Sequence, residues 1–226
     1  MAFVIYKDQY KYVSNKTLIL GGYSIVNLCD IEKLHELKDL NRLELNSNNI
    51  LKIENLESLT NLKELFLEGN EISEICGLEA LKHLNVLDLS YNNIQEIKGL
   101  DNLVNLEMLN LSGNKITEIK GINQLRSLNY LSIENNKIRE IKGLENLRNL
   151  KVLCLRQNLL TQIKGLDTLT SLESLLLDNN LIKNLDGIES LHRLSTLSVI
   201  DNPISQQDLL DFKALRNISI WGIRRN

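Results

Sequence analysis

The segment at residues 106–125 reads LEMLNLSGNKITEIKGINQL, and its spacing of leucine, isoleucine and asparagine recurs along most of the chain. The frame is L-x-x-L-x-L-x-x-N-x-I-x-x-[IL]-x-x-[LI]-x-x-L, and residues 62–81 repeat it cleanly. Eight asparagines mark it at a constant interval of 22 residues: Asn48, Asn70, Asn92, Asn114, Asn136, Asn158, Asn180 and Asn202. A fixed period of this length predicts a solenoid in which every repeat forms one turn.

Each repeat begins with an alternation that is typical of a β-strand. Leu109 and Leu111 are predicted to point inward, whereas Met108, Asn110 and Ser112 point outward. Stacked repeats then place these strands side by side in a parallel sheet. The asparagine that follows each strand is expected to bond the backbone of its own and the adjacent turn, because an amide satisfies groups that no sheet can reach.

The other half of each repeat is too short for a regular α-helix, so we expect extended or 3-10 segments on that side. A glycine recurs there, at a position where a sharp bend is expected to need positive φ. These glycines are Gly77, Gly99, Gly121, Gly143, Gly165 and Gly187.

Both ends depart from the repeat, as solenoid caps must. The predicted divisions are an N-terminal cap (1–16), the repeats (17–204) and a C-terminal cap (205–226). Phe3–Tyr6 and Tyr10–Val13 are β-prone runs that can pair as a hairpin. Ser205 begins a short helix, and a last strand at Ile218–Ile220 carries Trp221, which makes ten sheet strands in all. The expected apolar face of that helix comprises Leu209, Leu210, Phe212 and Leu215.

The phrases LEMLNLSGNKITEIKGINQL (106–125), LKVLCLRQNLLTQIKGLDTL (150–169) and DNPI (201–204) resemble one class of leucine-rich repeat. It is the 22-residue class typified by the regulatory subunit of type-one protein phosphatase. The resemblance covers about residues 17–221. It implies an α/β fold, a right-handed horseshoe with a concave parallel sheet of about ten strands. It also implies protein binding through that sheet, without identifying the partner.

Composition excludes several classes of function. The formal charge of −3 is too small to favour nucleic-acid binding. There is no apolar run of about 18 residues, so no membrane helix is expected. Nor is a signal peptide recognised near Met1, which we expect to be the natural start. The three cysteines, Cys29, Cys76 and Cys154, cannot pair in the predicted stack, which favours a reducing compartment, cytoplasmic or nuclear.

No catalytic or metal-binding pattern is recognised, so the prediction is a non-enzyme without a cofactor. The histidines His83 and His192 lie five repeats apart, about 24 Å along the axis, too far to share a metal. Cys154 is predicted to be a neutral surface thiol rather than a reactive one. On the convex side, glutamate and lysine stripes such as Glu74 and Lys98 are expected to form a solvated face. A binding role for the lysine row is the alternative.

The outward strand positions carry the candidate binding site. An apolar ridge is predicted through the middle repeats, at Phe66, Val86, Tyr91, Met108, Tyr130, Val152, Cys154 and Leu176. A contiguous exposed apolar patch usually marks an interface. Among these outward positions are seven acids (Glu44, Glu64, Glu68, Asp88, Glu134, Asp178 and Asp201) and two bases (Arg42 and Arg156), a net charge of −5. The partner-binding residues are predicted to be Glu64, Phe66, Val86, Asp88, Tyr91, Met108, Tyr130, Glu134, Val152, Arg156, Leu176, Asp178 and Trp221.

The favoured function is a monomeric interaction scaffold or regulatory subunit that binds a protein segment with basic and apolar side chains. No nucleic-acid or membrane partner is expected. The alternative for the surface itself is that these are ordinary solvent-facing strand residues, because Val and Tyr are good strand formers. Two alternatives for the whole chain are a secreted adhesin of the internalin type and a GTPase-activating leucine-rich protein, whose repeats are longer and more helical.

Overall fold

The computed structural model describes residues 2–215 and 218–222. The strands are β1 (Phe3–Tyr6), β2 (Gln9–Tyr12), β3 (Thr17–Ile19), β4 (Arg42–Glu44), β5 (Glu64–Phe66), β6 (Val86–Asp88), β7 (Met108–Asn110), β8 (Tyr130–Ser132), β9 (Val152–Cys154), β10 (Ser174–Leu176), β11 (Thr196–Ser198) and β12 (Ser219–Trp221). One α-helix, α1, spans Gln206–Leu215, and 3-10 turns lie at Leu28–Asp30 and Leu34–Glu36.

The strands β3 to β12 form one ten-stranded parallel sheet in sequence order. From β4 to β11 neighbouring strands are in register at the 22-residue period, so that Met108 lies beside both Val86 and Tyr130. The predicted solenoid with a sheet of ten parallel strands is therefore confirmed. Because the register is constant over these strands, each position of the repeat forms a column of side chains from β4 to β11.

The core consists of aliphatic layers, one for each repeat. In a central layer, Leu109, Leu111, Ile116 and Ile122 are fully buried, and Ile119 is 1% exposed. The leucine and isoleucine positions of the frame are thus side chains that lose essentially all contact with water. Burial of each one stabilises the fold by roughly 1.5–3 kcal/mol before conformational entropy is counted. The regular spacing in the sequence is the spacing that keeps these layers aligned.

The recurrent asparagines bond three segments of backbone, and all except Asn202 are buried. The Asn114 Oδ1 accepts from the Ile94 N–H at 2.9 Å, and its Nδ2 donates to the carbonyls of Leu89 and Leu111, both at 3.0 Å. The same arrangement recurs at Asn70 and Asn92 and through the later repeats. We call these eight residues the asparagine ladder, because their amides link each repeat to the one before it.

The recurrent glycines have the predicted positive φ, which is 73° at Gly121. A second reason for glycine is steric, since a Cβ atom at Gly121 would lie 2.4 Å from the Ile97 carbonyl oxygen of the preceding repeat. The convex segments are built of turns closed by bonds such as Leu125 N–H to Ile122 O at 3.0 Å. Between residues 37 and 205 they contain no helix, so the 3-10 helices expected there occur only in the first repeat.

The two ends differ from the repeats. β1 and β2 form the antiparallel hairpin, with β2 beginning at Gln9, one residue earlier than predicted. At the other end Ser205 Oγ caps α1 by accepting from the Asp208 N–H at 3.0 Å. Leu209 is buried, but Leu210 is 47% exposed rather than part of an apolar face, because it lies about 100° away around the helix. Residues 216–217 and 223–226 of the predicted cap, and the Leu215 side chain, lie outside the described residues.

Candidate protein-binding surface

An apolar row crosses the sheet at the first outward position of four adjacent strands. It consists of Val86, Met108, Tyr130 and Val152, which are direct neighbours in the register of β6 to β9. Met108 is 36% exposed and the other three are half-buried. The row therefore presents a contiguous apolar strip at the middle of the sheet, as the sequence predicts.

Tyr130 lies at the centre of the apolar row and beside the polar residues of the next column. Burial is the main cause that raises its pKa, and the nearby Cys154 and Glu134 raise it further. A hydrogen bond with the Ser132 side chain acts in the opposite sense. The phenol thus combines an apolar ring with a hydroxyl in polar surroundings, which is the combination that interface tyrosines use.

Beside the apolar row runs a chain of polar side chains, which we call the polar belt: Asp88, Asn110, Ser112 and Ser132. Asn110 Nδ2 donates to Asp88 Oδ2 at 3.1 Å. Ser112 Oγ lies 2.7 Å from Asn110 Oδ1 and 2.7 Å from Ser132 Oγ. Because these donors and acceptors satisfy one another, the belt holds its side chains in fixed positions beside Tyr130.

Two predicted contact residues near the N-terminal end of the sheet, Glu64 and Phe66, are already engaged with Arg42. The Arg42 guanidinium bonds Glu44 at 2.7 Å, pairs with Glu64 and stacks over the Phe66 ring at 4.3 Å from the centroid. Phe66 is therefore covered by a cation and does not continue the apolar row as an open surface. Glu64 is neutralised by the same guanidinium.

Asp178 is buried, in contrast to the outward charge that its position in the frame predicts. Its carboxylate accepts from Arg156 Nε at 2.6 Å, from the Ile200 N–H at 2.8 Å and from the Ser198 hydroxyl. Since the strand ends here, the carboxylate satisfies backbone and side-chain donors that would otherwise be unpaired. Asp178 thus orients Arg156, and only the arginine is placed to touch a partner.

Cys154 is also buried, at 3% exposed, which corrects its prediction as a surface residue of the ridge. Burial is the main cause that raises the pKa of its thiol. The thiol donates to Glu134 Oε2 at 3.3 Å. The alternation of the strand gives only the direction of a side chain. A small residue between larger neighbours lies below the surface that those neighbours create.

Tyr91 lies apart from the apolar row, in the turn after β6. It is 59% exposed and has a φ of 53°. Its ring lies over Gly113 in the next repeat, where a Cβ atom would come within 2.7 Å of it. Tyr91 is thus a second exposed aromatic group at the edge of the concave face, and it depends on the glycine beside it.

The last two predicted contact residues lie towards the C-terminal end. Leu176 is half-buried on β10 beside Cys154. Trp221 is 57% exposed on β12, where it pairs with Ser198. β12 lies four inter-strand steps from β8, so Trp221 lies about 19 Å from the level of Tyr130. A partner that contacts both residues must span almost half of the sheet.

A second set of asparagines, on the loops before the strands, was not singled out from the sequence. Asn61, Asn105 and Asn149 each donate to a backbone carbonyl of the preceding repeat, at 2.9 to 3.0 Å. Their spacing of 44 residues was a detectable signal. These bonds hold the loops together but leave the concave face unchanged.

The convex stripes are ion pairs in water. Lys98 lies 2.6 Å from Glu74, and Lys120 lies 3.7 Å from Glu96, with every side chain at least half exposed. Such pairs contribute little to stability.

Among the described residues no group of His, Cys, Asp or Glu is arranged to hold a metal. No helix within the described ranges has the length and apolar character that a membrane span requires.

Comparisons with known proteins identify the repeat. Residues 82–124 and 104–146 match the family model for leucine-rich repeats in two copies. No curated protein sequence matches the chain. Residues 82–146 thus match leucine-rich repeats, and the narrower class typified by the phosphatase subunit stays a prediction.

Several solved structures share the fold. Internalin C2 from Listeria monocytogenes is 27% identical, with a TM-score of 0.76 and coverage of 86% of both chains. The functional domain of InlJ from the same organism is 21% identical, with a TM-score of 0.68, over 89% of this chain and 48% of that one. The leucine-rich-repeat ectodomain of an Arabidopsis thaliana receptor kinase, solved in complex with Casparian strip integrity factor 2, is 29% identical, with a TM-score of 0.63, over 76% of this chain and 22% of that one.

Proposed function

We propose that this protein is a non-enzymatic binding module that holds a partner protein along the middle of its concave sheet. The observation that carries the proposal is the apolar row, a contiguous strip that includes a rigid tyrosine and a flexible methionine. Interfaces are enriched in these two residue types. The polar belt beside the row supplies fixed hydrogen-bonding groups of the kind that orient a bound segment.

The charges beside the row favour a basic segment. Two other acids of the concave face are matched by protein cations, the half-buried Glu64 by Arg42 and the buried Asp178 by Arg156. Asp88 and Glu134 accept only from neutral groups in the described chain: Ser90 and Asn110 for the first, Cys154 for the second. A partner lysine or arginine with an apolar neighbour complements this arrangement, because the cation meets unmatched carboxylates.

The proposed setting is the cytoplasm or the nucleus, with the protein as a monomeric scaffold or regulatory subunit. This setting rests on the resemblance to the phosphatase-subunit class and on the three free thiols. In a reducing compartment such thiols persist without pairing.

A second candidate is an internalin-like protein of a bacterial surface. The likeness to internalin C2 across 86% of both chains favours it. The GTPase-activating alternative has less support, because the convex segments between residues 37 and 205 contain no helix. The two remaining candidates use the same concave surface, and they differ in the compartment where the partner is met.

The binding proposal is tested by a single truncation. Purified wild-type protein is used to capture and identify a partner, and the affinity of the purified partner is then measured for Tyr130→Ala and Lys120→Glu. Truncating a central anchor typically costs 2 kcal/mol or more, which is about thirtyfold in affinity. We therefore expect Tyr130→Ala to lose about thirtyfold with unchanged thermal stability, and the convex control Lys120→Glu to bind normally.

The opposite pattern contradicts the proposal. Wild-type affinity in Tyr130→Ala, or loss of binding in Lys120→Glu, would place the interface elsewhere. Locating the protein in its native cells, by fractionation with an antibody, distinguishes the intracellular scaffold from the surface protein.

A further inference from the structure

A hairpin between β2 and β3 opens after a single pair of residues. Ser14 and Thr17 exchange two backbone hydrogen bonds, at 3.0 and 2.8 Å. The turn between them has positive φ at both central residues, 49° at Asn15 and 59° at Lys16. That is the geometry of a tight turn that normally joins two paired strands. In a continued hairpin the next hydrogen-bonded pair would be Tyr12 with Ile19, and this pair is not formed.

The hairpin opens because both strands have other partners. β2 pairs with β1, and the Val13 N–H donates to the Ala2 carbonyl at 2.9 Å. Backbone groups of an antiparallel strand alternate between its two edges. Since Val13 uses the edge that faces β1, the N–H and C=O groups of Tyr12 and Tyr10 point to the opposite edge, towards β3.

The strand β3 is likewise paired on one edge only, with β4. The Leu20 N–H donates to the Glu44 carbonyl at 2.7 Å and the Gly22 N–H to the Asn46 carbonyl at 3.0 Å, both in the direction of β4. By the same alternation, the backbone groups of Ile19 and Gly21 point away from β4. No backbone bond joins Ile19 to β2 in the described residues. The ten-stranded sheet therefore ends in an unpaired edge at Ile19.

The gap between β2 and this edge is apolar and open. A cavity of about 400 Å³ lies there, lined by Tyr10, Lys11, Tyr12, Ser14, Asn15, Thr17 and Ile19. Three of the side chains are strongly exposed: Tyr10 at 57%, Tyr12 at 58% and Ile19 at 59%. The two tyrosine rings are stacked at 6.5 Å between centroids and form one wall. Exposed apolar side chains concentrated in this way mark an interaction site.

We propose that this gap, the β3 edge site, binds an extended segment of a partner protein that adds as a strand to Ile19. Natural edge strands are usually covered, bulged or interrupted by proline, and this one is not. Main-chain hydrogen bonds to Ile19 and Gly21 supply the pairing, and the tyrosine wall receives alternate apolar side chains of the segment. In recognition of this kind, main-chain hydrogen bonds provide the affinity and pockets for alternate side chains provide the specificity.

The charge of the lining specifies the remaining side chains of the segment. Lys11 is the charged residue of the lining, and no acid is among the lining residues. The Lys11 ammonium contacts only neutral groups among the described residues, Gln9 Oε1 at 2.9 Å and the Tyr23 ring at 4.0 Å, so its charge is unmatched. A segment in which apolar and acidic residues alternate is therefore favoured over a basic one. The same feature disfavours a second copy of this chain, because two-fold pairing of the β3 edges would bring two Lys11 side chains together. The proposed concave site has the opposite charge preference, so the two sites take different segments.

The test uses blocked eight-residue peptides and the full-length protein. One peptide alternates valine with glutamate, the second alternates valine with lysine, and the third is the glutamate peptide with N-methyl groups on alternate residues. We expect saturable binding of the glutamate peptide, at least threefold tighter than the lysine peptide. The peptide methylated on the edge that meets β3 should lose at least tenfold, because its donors are removed while its side chains remain.

The matched protein variants act on the same edge. Ile19→Pro removes an N–H that the β3–β4 ladder does not use, whereas Ile19→Val keeps both the N–H and the apolar side chain. We expect Ile19→Pro to lose at least tenfold in affinity for the glutamate peptide and Ile19→Val to stay within about twofold. Hydrogen exchange of the Ile19 amide in the wild-type protein should slow when the peptide binds.

Several results would overturn the proposal. They are no saturable binding of the glutamate peptide at millimolar concentration, equal binding of the N-methylated peptide, and an Ile19 amide that exchanges at an unchanged rate. Concentration-dependent protection of that amide without peptide, together with a dimer in sedimentation, would assign the edge to a second copy instead. The peptide comparison and the exchange measurement need no variant, so misfolding of Ile19→Pro leaves the test intact.

Discussion

The asparagine ladder predicts that neighbouring asparagines are energetically coupled, whereas asparagines two repeats apart are not. The Leu111 carbonyl accepts from two ladder amides, Asn114 Nδ2 and Asn136 Nδ2, each at 3.0 Å. Similarly, the Leu89 carbonyl accepts from Asn92 at 3.1 Å and from Asn114 at 3.0 Å. Each carbonyl therefore keeps one donor when a single asparagine is removed.

The magnitude follows from counting the groups left without a partner. In Asn114→Ala both carbonyls keep their second donor, and the Ile94 N–H is the one buried group that loses its acceptor. An unsatisfied buried group costs roughly 1–3 kcal/mol, so that is the expected loss of unfolding free energy. In the adjacent double variant Asn114→Ala/Asn136→Ala the Leu111 carbonyl loses both amide donors. We expect a coupling of a further ~1–3 kcal/mol beyond the sum of the single changes.

The control is the double variant Asn92→Ala/Asn136→Ala. These residues share no carbonyl, and Asn114 still bonds both Leu89 and Leu111. Its loss should equal the sum of the single losses within about 0.5 kcal/mol. The measurement is equilibrium urea denaturation of the wild type, the three single variants and the two double variants, compared through midpoints at a constant slope.

Equal coupling in the adjacent and separated pairs would refute the reasoning.

A related comparison concerns the end of the ladder. Asn202 makes the corresponding bonds, including one from the Ile182 N–H at 3.0 Å, but it is only half-buried. Water can replace its amide, so Asn202→Ala should destabilise less than Asn114→Ala. Equal midpoints for these two variants would show that burial does not govern the effect.

Three further predictions concern the turns and the titratable groups. Gly121→Ala should destabilise clearly more than Gly22→Ala in urea denaturation, because both positions have positive φ (73° and 76°) but only Gly121 lacks room for a Cβ atom; equal losses would show that φ strain alone decides. Under a limiting thiol reagent, mass spectrometry should find exposed Cys29 modified first and buried Cys154 last, whereas faster labelling of Cys154 would contradict its burial. Burial raises the pKa values of Cys154 and Tyr130 above their ordinary 9.0 and 10.0. The stability that these two groups contribute is therefore fully present below their ordinary pKa values and is lost as pH rises through the raised values of the folded protein. In denaturation at alkaline pH, Cys154→Ala should show a smaller decline of stability than the wild type.

Much of the fold could be predicted from the sequence because every turn of the solenoid needs the same residue types at the same positions, so the pattern recurs many times. The inward leucines, the parallel strands, the asparagine bonds and the positive φ of the glycines each follow from local spacing. Every repeat has the same neighbours at the same distance, so the period that aligns the sequence also aligns the structure. The apolar row was equally accessible, since Val86, Met108 and Tyr130 are adjacent in a register that the period sets.

Only the tertiary structure decided which outward residues are available. Cys154 and Asp178 point outward by alternation yet are buried, because larger neighbours rise above them and donors converge on them. Phe66 is covered because the longer Arg42 side chain from the next strand reaches it. The open edge at Ile19 arises because β2 is held by β1 while β3 is held by β4. These outcomes depend on competition between neighbours of different size and charge, and a period fixes the place of each residue but not the result of that competition.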